Sequence, residues 1–257
     1  MSRKFFLPVL LLLAALPFTA TAEEAPAIQL VSAFNIVVKP VARPAFEKLL
    51  ARSAEANKQL NTQRYYTTWS HQYGTPNQIT IVRNFDSWKA MDEPPMDILT
   101  KALGEEEATA LRAVFDHVQT VQSGVWIHRP DLSSGVDPEG PPGRNMWLQV
   151  NVVPGMNARA EAYIAKVAEA TRQVAPEITY QAYAPLVGEP NFYVFTVPSS
   201  YERLDQGPVM PIPARLEKAF GKREADRLEA ERAAVVADQS TVLVNARSDL
   251  SYWPEAE

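Results

Sequence analysis

Apolar and polar positions along this chain change period in the same order twice. Phe34, Ile36 and Val38 alternate with Asn35 and Val37, which predicts a strand closed by Pro40. From Pro44 the period lengthens. Phe46, Leu49, Leu50, Ser53, Ala54 and Leu60 fall on one helical face, with Glu47, Lys48, Arg52 and Glu55 on the other. Alternation returns from Arg64 to His71 and from Ile79 to Asn84, around the turn residues Gly74-Thr-Pro-Asn77. A short helix from Asp86 to Met91, a longer one over about 96–121 with a break near Gly104, and a strand at Val125–His128 complete the unit.

The second half repeats it. Pro40 meets Pro154, Glu47 meets Glu161, Ala54-Glu55-Ala56 meets Ala168-Glu169-Ala170, Tyr66 meets Tyr180 and Trp69 meets Tyr183 on one constant spacing. Gly74-x-Pro76-Asn77 returns as Gly188-x-Pro190-Asn191. Farther on, Lys101-Ala-Leu-Gly104 returns as Lys218-Ala-Phe-Gly221, Gln122-Ser123 as Gln239-Ser240, and Asp131-Leu132-Ser133 as Asp249-Leu250-Ser251. So many matches with so few gaps imply two copies of one unit. The expected division is 1–22 as a signal peptide, 23–130 as the first repeat, 131–145 as a Pro/Gly-rich linker and 146–257 as the second repeat.

Each unit reads β-α-β-β-(α)-α-β, the order of a ferredoxin-like split β-α-β. Such a sheet has helices on one face, and its bare face must be covered. Two copies in one chain can cover each other. The expected fold class is therefore α+β, with two tandem ferredoxin-like repeats packed sheet to sheet as a pseudo-dimeric α+β barrel. On this element order, and on the segment Asn84-Phe-Asp-Ser-Trp88-Lys-Ala90, the chain resembles the dimeric α+β-barrel superfamily, specifically its antibiotic-biosynthesis-monooxygenase-like proteins. The resemblance implies a small organic substrate and cofactor-independent monooxygenase-like chemistry. Haem-degrading members of that superfamily ligate iron through a histidine on a late helix, so His117 has to be weighed. Flanking the stripe Leu111, Val114, Phe115 and Val118, it reads as a solvent-edge residue.

Composition narrows the partners. The N-terminus has the three parts of an export signal: Arg3-Lys4, an apolar run from Phe5 to Leu16, and Ala20-Thr21-Ala22 before Glu23. Cleavage after Ala22 would remove two basic residues and no acidic ones, leaving a chain more acidic than its formal −5. That balance argues against nucleic acid and anionic membrane as partners. There are no cysteines, hence no disulfides and no thiolate metal site. The periplasm is the expected location, with full secretion as the rival. The protein is expected to act as a monomeric pseudo-dimer.

Alternation also sorts the strand faces. Phe34, Ile36 and Val38, and in the second copy Leu148, Val150 and Val152, should face the helices, as should Val125, Ile127, Val242 and Val244. Asn35, Tyr65, Trp69, His71, Trp126 and His128 are left looking inward, with Leu243 and Asn245 as the second-copy counterparts of the last two. His71 and His128 are the candidate catalytic residues; Asn35, Tyr65, Trp69 and Trp126 are the candidate ligand contacts. Inward polar residues can equally be hydrogen-bonded across a packed interface with no chemistry to perform. No paired histidine spacing suggests a metal, and no cofactor is expected. Two functions stay open: an exported barrel that binds a small organic molecule between its sheets, with the monooxygenase-like turnover the resemblance implies, or a non-enzymatic periplasmic binding or structural/partner protein. Haem binding stands third.

Overall fold

The computed structural model describes residues 29–75, 77–92, 98–135, 143–188, 191–201, 205 and 210–253. The predicted signal peptide lies outside them.

Eight strands alternate with helical layers. β1 (Leu30–Val38) leads through α1 (Arg43–Gln59) to β2 (Thr67–His71) and β3 (Gln78–Phe85). Three short helices follow: α2 (Trp88–Met91), α3 (Ile98–Leu103) and α4 (Glu105–Arg112). Then come a 3-10 segment (Ala113–His117) and β4 (Val118–His128). β5 (Arg144–Val152), α5 (Asn157–Val174), β6 (Gln181–Val187), β7 (Phe192–Ser199), α6 (Ile212–Phe220), α7 (Lys222–Val235) and β8 (Val236–Ala246) complete the order. Of the predicted linker, Asp131 and Leu132 belong to a 3-10 turn (Pro130–Leu132) with Leu132 buried, 136–142 lie outside the described residues, and Arg144 and Asn145 already belong to β5.

All strands join one closed antiparallel barrel in the order β1-β3-β2-β8-β5-β7-β6-β4. Closure comes from pairing of strand edges, β2 with β8 and β4 with β6, rather than from two separate sheets stacked face to face. Every strand therefore has two neighbours, which removes the unpaired edges that an open sheet would expose. Helices pack on the outside. Ile36, Val38, Phe46, Leu49, Leu50 and Ile79 form one core under α1. Val150, Val152, Ile164, Val167, Tyr193 and Leu216 belong to a larger one under α5 and α6.

Two expectations are corrected by the pairing. The long helix over 96–121 ends sooner, because Val118, Thr120 and Val121 pair with Val38, Val37 and Ile36 of β1. β-Branched residues fit that pleated edge better than a helix. Its break at Gly104 is present, with φ of 84°, a backbone region that glycine enters without strain. The second correction concerns β8. Val242, Val244 and Ala246 cluster with Trp69 and Trp147 inside the barrel, so Leu243 and Asn245 face the other way. Leu30 pairs with Ile127 in one half and Arg144 with Asn245 in the other, so Trp126 matches Val244 in register. A one-residue slip in the alignment had reversed every side chain of that strand.

After β4 and after β8 the chain crosses to the opposite half. Arg129 N–H bonds the Ala182 carbonyl, and its guanidinium bonds Asp131 (2.8 and 2.9 Å) and Glu161 on α5 (2.9 Å). Arg247 repeats the arrangement, with its N–H on the Thr68 carbonyl and its guanidinium on Asp249 (2.7 and 2.8 Å) and Glu47 on α1 (3.2 and 3.3 Å). Ser133 Oγ accepts from Ala182 N–H, and Ser251 Oγ accepts from Thr68 N–H.

Candidate functional site

The inward faces of the strands enclose a cavity of about 600 Å³. That volume lies within the range of small-molecule sites. β1 contributes Val31, Ala33 and Asn35, β2 contributes Thr67 and Trp69, and β3 contributes Thr80, Val82 and Asn84. Across from them stand Trp126, Trp147, Gln149, Gln181, Tyr183, Phe192 and Val194. Trp69 and Trp147 meet edge to face with centroids 5.4 Å apart, an arrangement aromatic quadrupoles favour. Trp126 is fixed by its Nε1–H, which donates to the Phe192 carbonyl at 2.9 Å. The Trp147 indole N–H is buried without an acceptor among the described residues.

Of the six residues predicted to look inward, Asn35, Trp69 and Trp126 line this cavity. His71, His128 and Tyr65 are not among its lining residues. Tyr65 precedes β2, donates to Gln63 and lies against the Tyr252 ring. The histidines stand one bond behind the wall. Thr80 Oγ1 donates to Asn35 Oδ1 at 2.7 Å, so the His71 Nε2 contact at 2.9 Å places the proton on His71 as donor. Nδ1 of that ring is then an acceptor, buried without a partner. Burial, aided by the nearby Arg43 charge, pushes the His71 pKa down to about 4. His128 Nε2 lies 2.8 Å from Gln181 Oε1, which orients that amide within the wall.

Sequence reasoning missed Trp147, Gln181 and Arg144. Trp147 precedes Leu148, where the alternation read from the sequence begins, and shares its inward parity with Gln149 of the lining. At the cavity rim Arg144 lies over the Tyr201 ring at 3.7 Å, and its Nε donates to Asn245 Oδ1 at 2.7 Å. It is the one formally charged side chain among the described lining residues.

A second cavity of about 500 Å³ lies outside the barrel, between β5, β7 and β8 and the helices α5, α6 and α7. No histidine lines either cavity among the described residues. His117 is exposed, and its carbonyl accepts from Lys39 N–H. No group of three His, Asp or Glu residues that could hold a metal occurs among the described residues. No helix among them is long and apolar enough to cross a membrane.

No protein-family model and no curated protein matches the sequence. Solved structures do match the fold. An anthrone oxidase-like protein aligns with a TM-score of 0.52 at 10% identity, covering 87% of this chain and 92% of its own. A provisionally assigned monooxygenase from Lactobacillus acidophilus NCFM aligns with a TM-score of 0.50 at 10% identity, covering 88% and 96%. Chlorite dismutase from Candidatus Nitrospira defluvii aligns at 8% identity and a TM-score of 0.48. At these identities the first two establish the α+β-barrel fold, and fold alone does not assign an activity.

Proposed function

We propose that this protein binds a small, largely apolar organic molecule inside its barrel. The observation that carries the reading is the interior space of about 600 Å³, walled by Trp69, Trp126 and Trp147 and edged with Asn35, Thr80 and Gln181. Indole faces offer stacking area, and the few amides fix orientation. Quenching of intrinsic tryptophan fluorescence by anthrone or 1-naphthol tests it. Trp126→Ala should weaken binding about tenfold, the worth of one aromatic contact plus its buried area. Ala33→Trp should block the cavity outright. Affinity unchanged in both folded variants would put the ligand elsewhere.

Monooxygenase-like turnover without a cofactor is the activity to assay first, since one protein of this fold is described as anthrone oxidase-like. A specific observation favours the alternative of a non-enzymatic binding protein. No Asp, Glu or His is among the described residues lining the cavity, so no side chain there exchanges protons near neutral pH. Oxygen uptake with anthrone separates the two: binding without uptake leaves a carrier or partner protein.

The same proposal includes a doubled gene and export. Two observations support doubling: the β1/β3/β4 pairings have β5/β7/β8 counterparts in matching register, and the Arg129 and Arg247 bond sets correspond residue for residue. The segment 1–22 supports export, and N-terminal sequencing of the mature protein measures it.

A further inference from the structure

The cavity outside the barrel carries a guanidinium that no carboxylate among the described residues pairs with, the carboxylate of Glu177 acting on it only through space. Its walls are hydrocarbon, including Leu148, Val150, Val167, Phe195 and Ile212. Arg215 of α6 also lines it and is only 9% exposed. Its Nη1 donates to Thr171 Oγ1 at 2.7 Å, while Nε has no partner among the described residues. Burial pulls its pKa below the usual arginine value. Arg232, the other cation on the wall, is already paired with Glu229 at 3.1 Å. Tyr163, facing the same space from α5, has a buried hydroxyl without a partner.

A guanidinium withdrawn from water without a paired carboxylate is unfavourable. On the spacing that pairs Lys101 with Lys218, the first half places Ile98 where the second has Arg215. The cation is therefore an addition that favours an occupant. Its planar fork matches a carboxylate, Tyr163 and Tyr180 offer further O–H donors, and the rest of the surface is mostly hydrocarbon, with Ser199, Gln239 and Thr241 at its polar margin. We propose that this cavity is a second ligand site, separate from the barrel interior, which takes a monocarboxylate with an apolar tail. The carboxylate would sit on Arg215 and the tail against Val150, Val167 and Phe195.

Titration of the full-length protein with decanoate, decanol and decyltrimethylammonium tests this by calorimetry. Decanoate should bind one per chain, at least about tenfold more tightly than decanol, with the cation not binding, as expected for one charge-assisted hydrogen-bonded pair. Arg215→Met should remove the preference for decanoate without lowering the melting temperature, since an unpaired buried charge is replaced by hydrocarbon. Arg215→Lys should keep part of it. Trp126→Ala in the barrel should leave it unaltered. Equal affinity for decanoate and decanol in the wild type, or a decanoate affinity unchanged in Arg215→Met, would overturn the assignment. If Arg215→Met and Arg215→Lys both fail to fold, the wild-type preference among the three probes still decides.

Discussion

The imidazole of His71 is neutral at physiological pH because the fold withdraws it from water, and this gives it a pH signature. Its folded pKa, about 4, lies below the ordinary value of about 6.5. The unfolded chain therefore binds the extra proton first as pH falls, and stability drops between about pH 6.5 and 4. Above that window the residue contributes no pH dependence. The full shift corresponds to at most about 3 kcal/mol. An NMR titration of the ring should show a midpoint near 4, and His71→Gln should flatten this part of the acid limb. A midpoint near 6.5 would mean that the ring is hydrated and free to act in the cavity. Sequence alternation put His71 on the inward side of β2, but it could not show that Thr80, bonded to the ring, lines the cavity while the ring itself does not. That relation depends on the register of β3 against β2, where Thr80 lies opposite Trp69.

Among the elements, β4 is where local preference and tertiary pairing disagree most. Its first half follows a helical pattern, yet it pairs along its length with β1. On its other side it joins β6 through an irregularity between Val125 and Trp126. Gly124 sits at that point. A Cβ there would come within 2.7 Å of the Trp126 ring and 2.9 Å of the Val187 carbonyl. The ring could move, but the backbone oxygen belongs to the seam. Gly124→Val should therefore destabilise the fold by about 1–3 kcal/mol through overpacking and weaken ligand binding by displacing Trp126. Denaturant unfolding and fluorescence titration of the same variant would read both, and a variant as stable as the wild type would mean that the seam is slack. Strands whose alternation reaches both ends were readable from sequence. The extents of β1, β5 and β4 were not, because their terminal residues owe their conformation to partners distant in the chain. The missed Trp147 follows directly from that shortfall.

At the scale of the whole molecule, each half is fastened by an arginine from the other. Glu47 holds Arg247 and Arg43, and although burial alone would raise its pKa, those two cations bring it below the ordinary value. Asp131 and Asp249 are lowered chiefly by their hydrogen bonds to Arg129 and Arg247. The contribution of these carboxylates is complete above their unfolded pKa values of about 4 and is lost as pH falls below them. These pairs are half-screened by solvent, so Glu47→Gln and Glu161→Gln should each cost about 1–2 kcal/mol, between the exposed and buried limits. That is a fall of several degrees in melting temperature for a chain of this size. The double variant should be close to additive, because the two sites share no side chain. Scanning calorimetry of the three variants checks this, and an unchanged melting temperature would show the bridges to be incidental. The α+β barrel was legible in the sequence through the order of its elements. The crossing of the segments after β4 and β8 was not, because nothing in a linear pattern says which part of the barrel a tail will fasten.

Because both seams are made within one polypeptide, the barrel closes by a first-order event. A barrel assembled from separate chains falls apart on dilution, since its closure is governed by mass action. Here scarcity has no such effect: the strand pairs that close this barrel lie within one molecule, so its interior persists however far that molecule is from another copy.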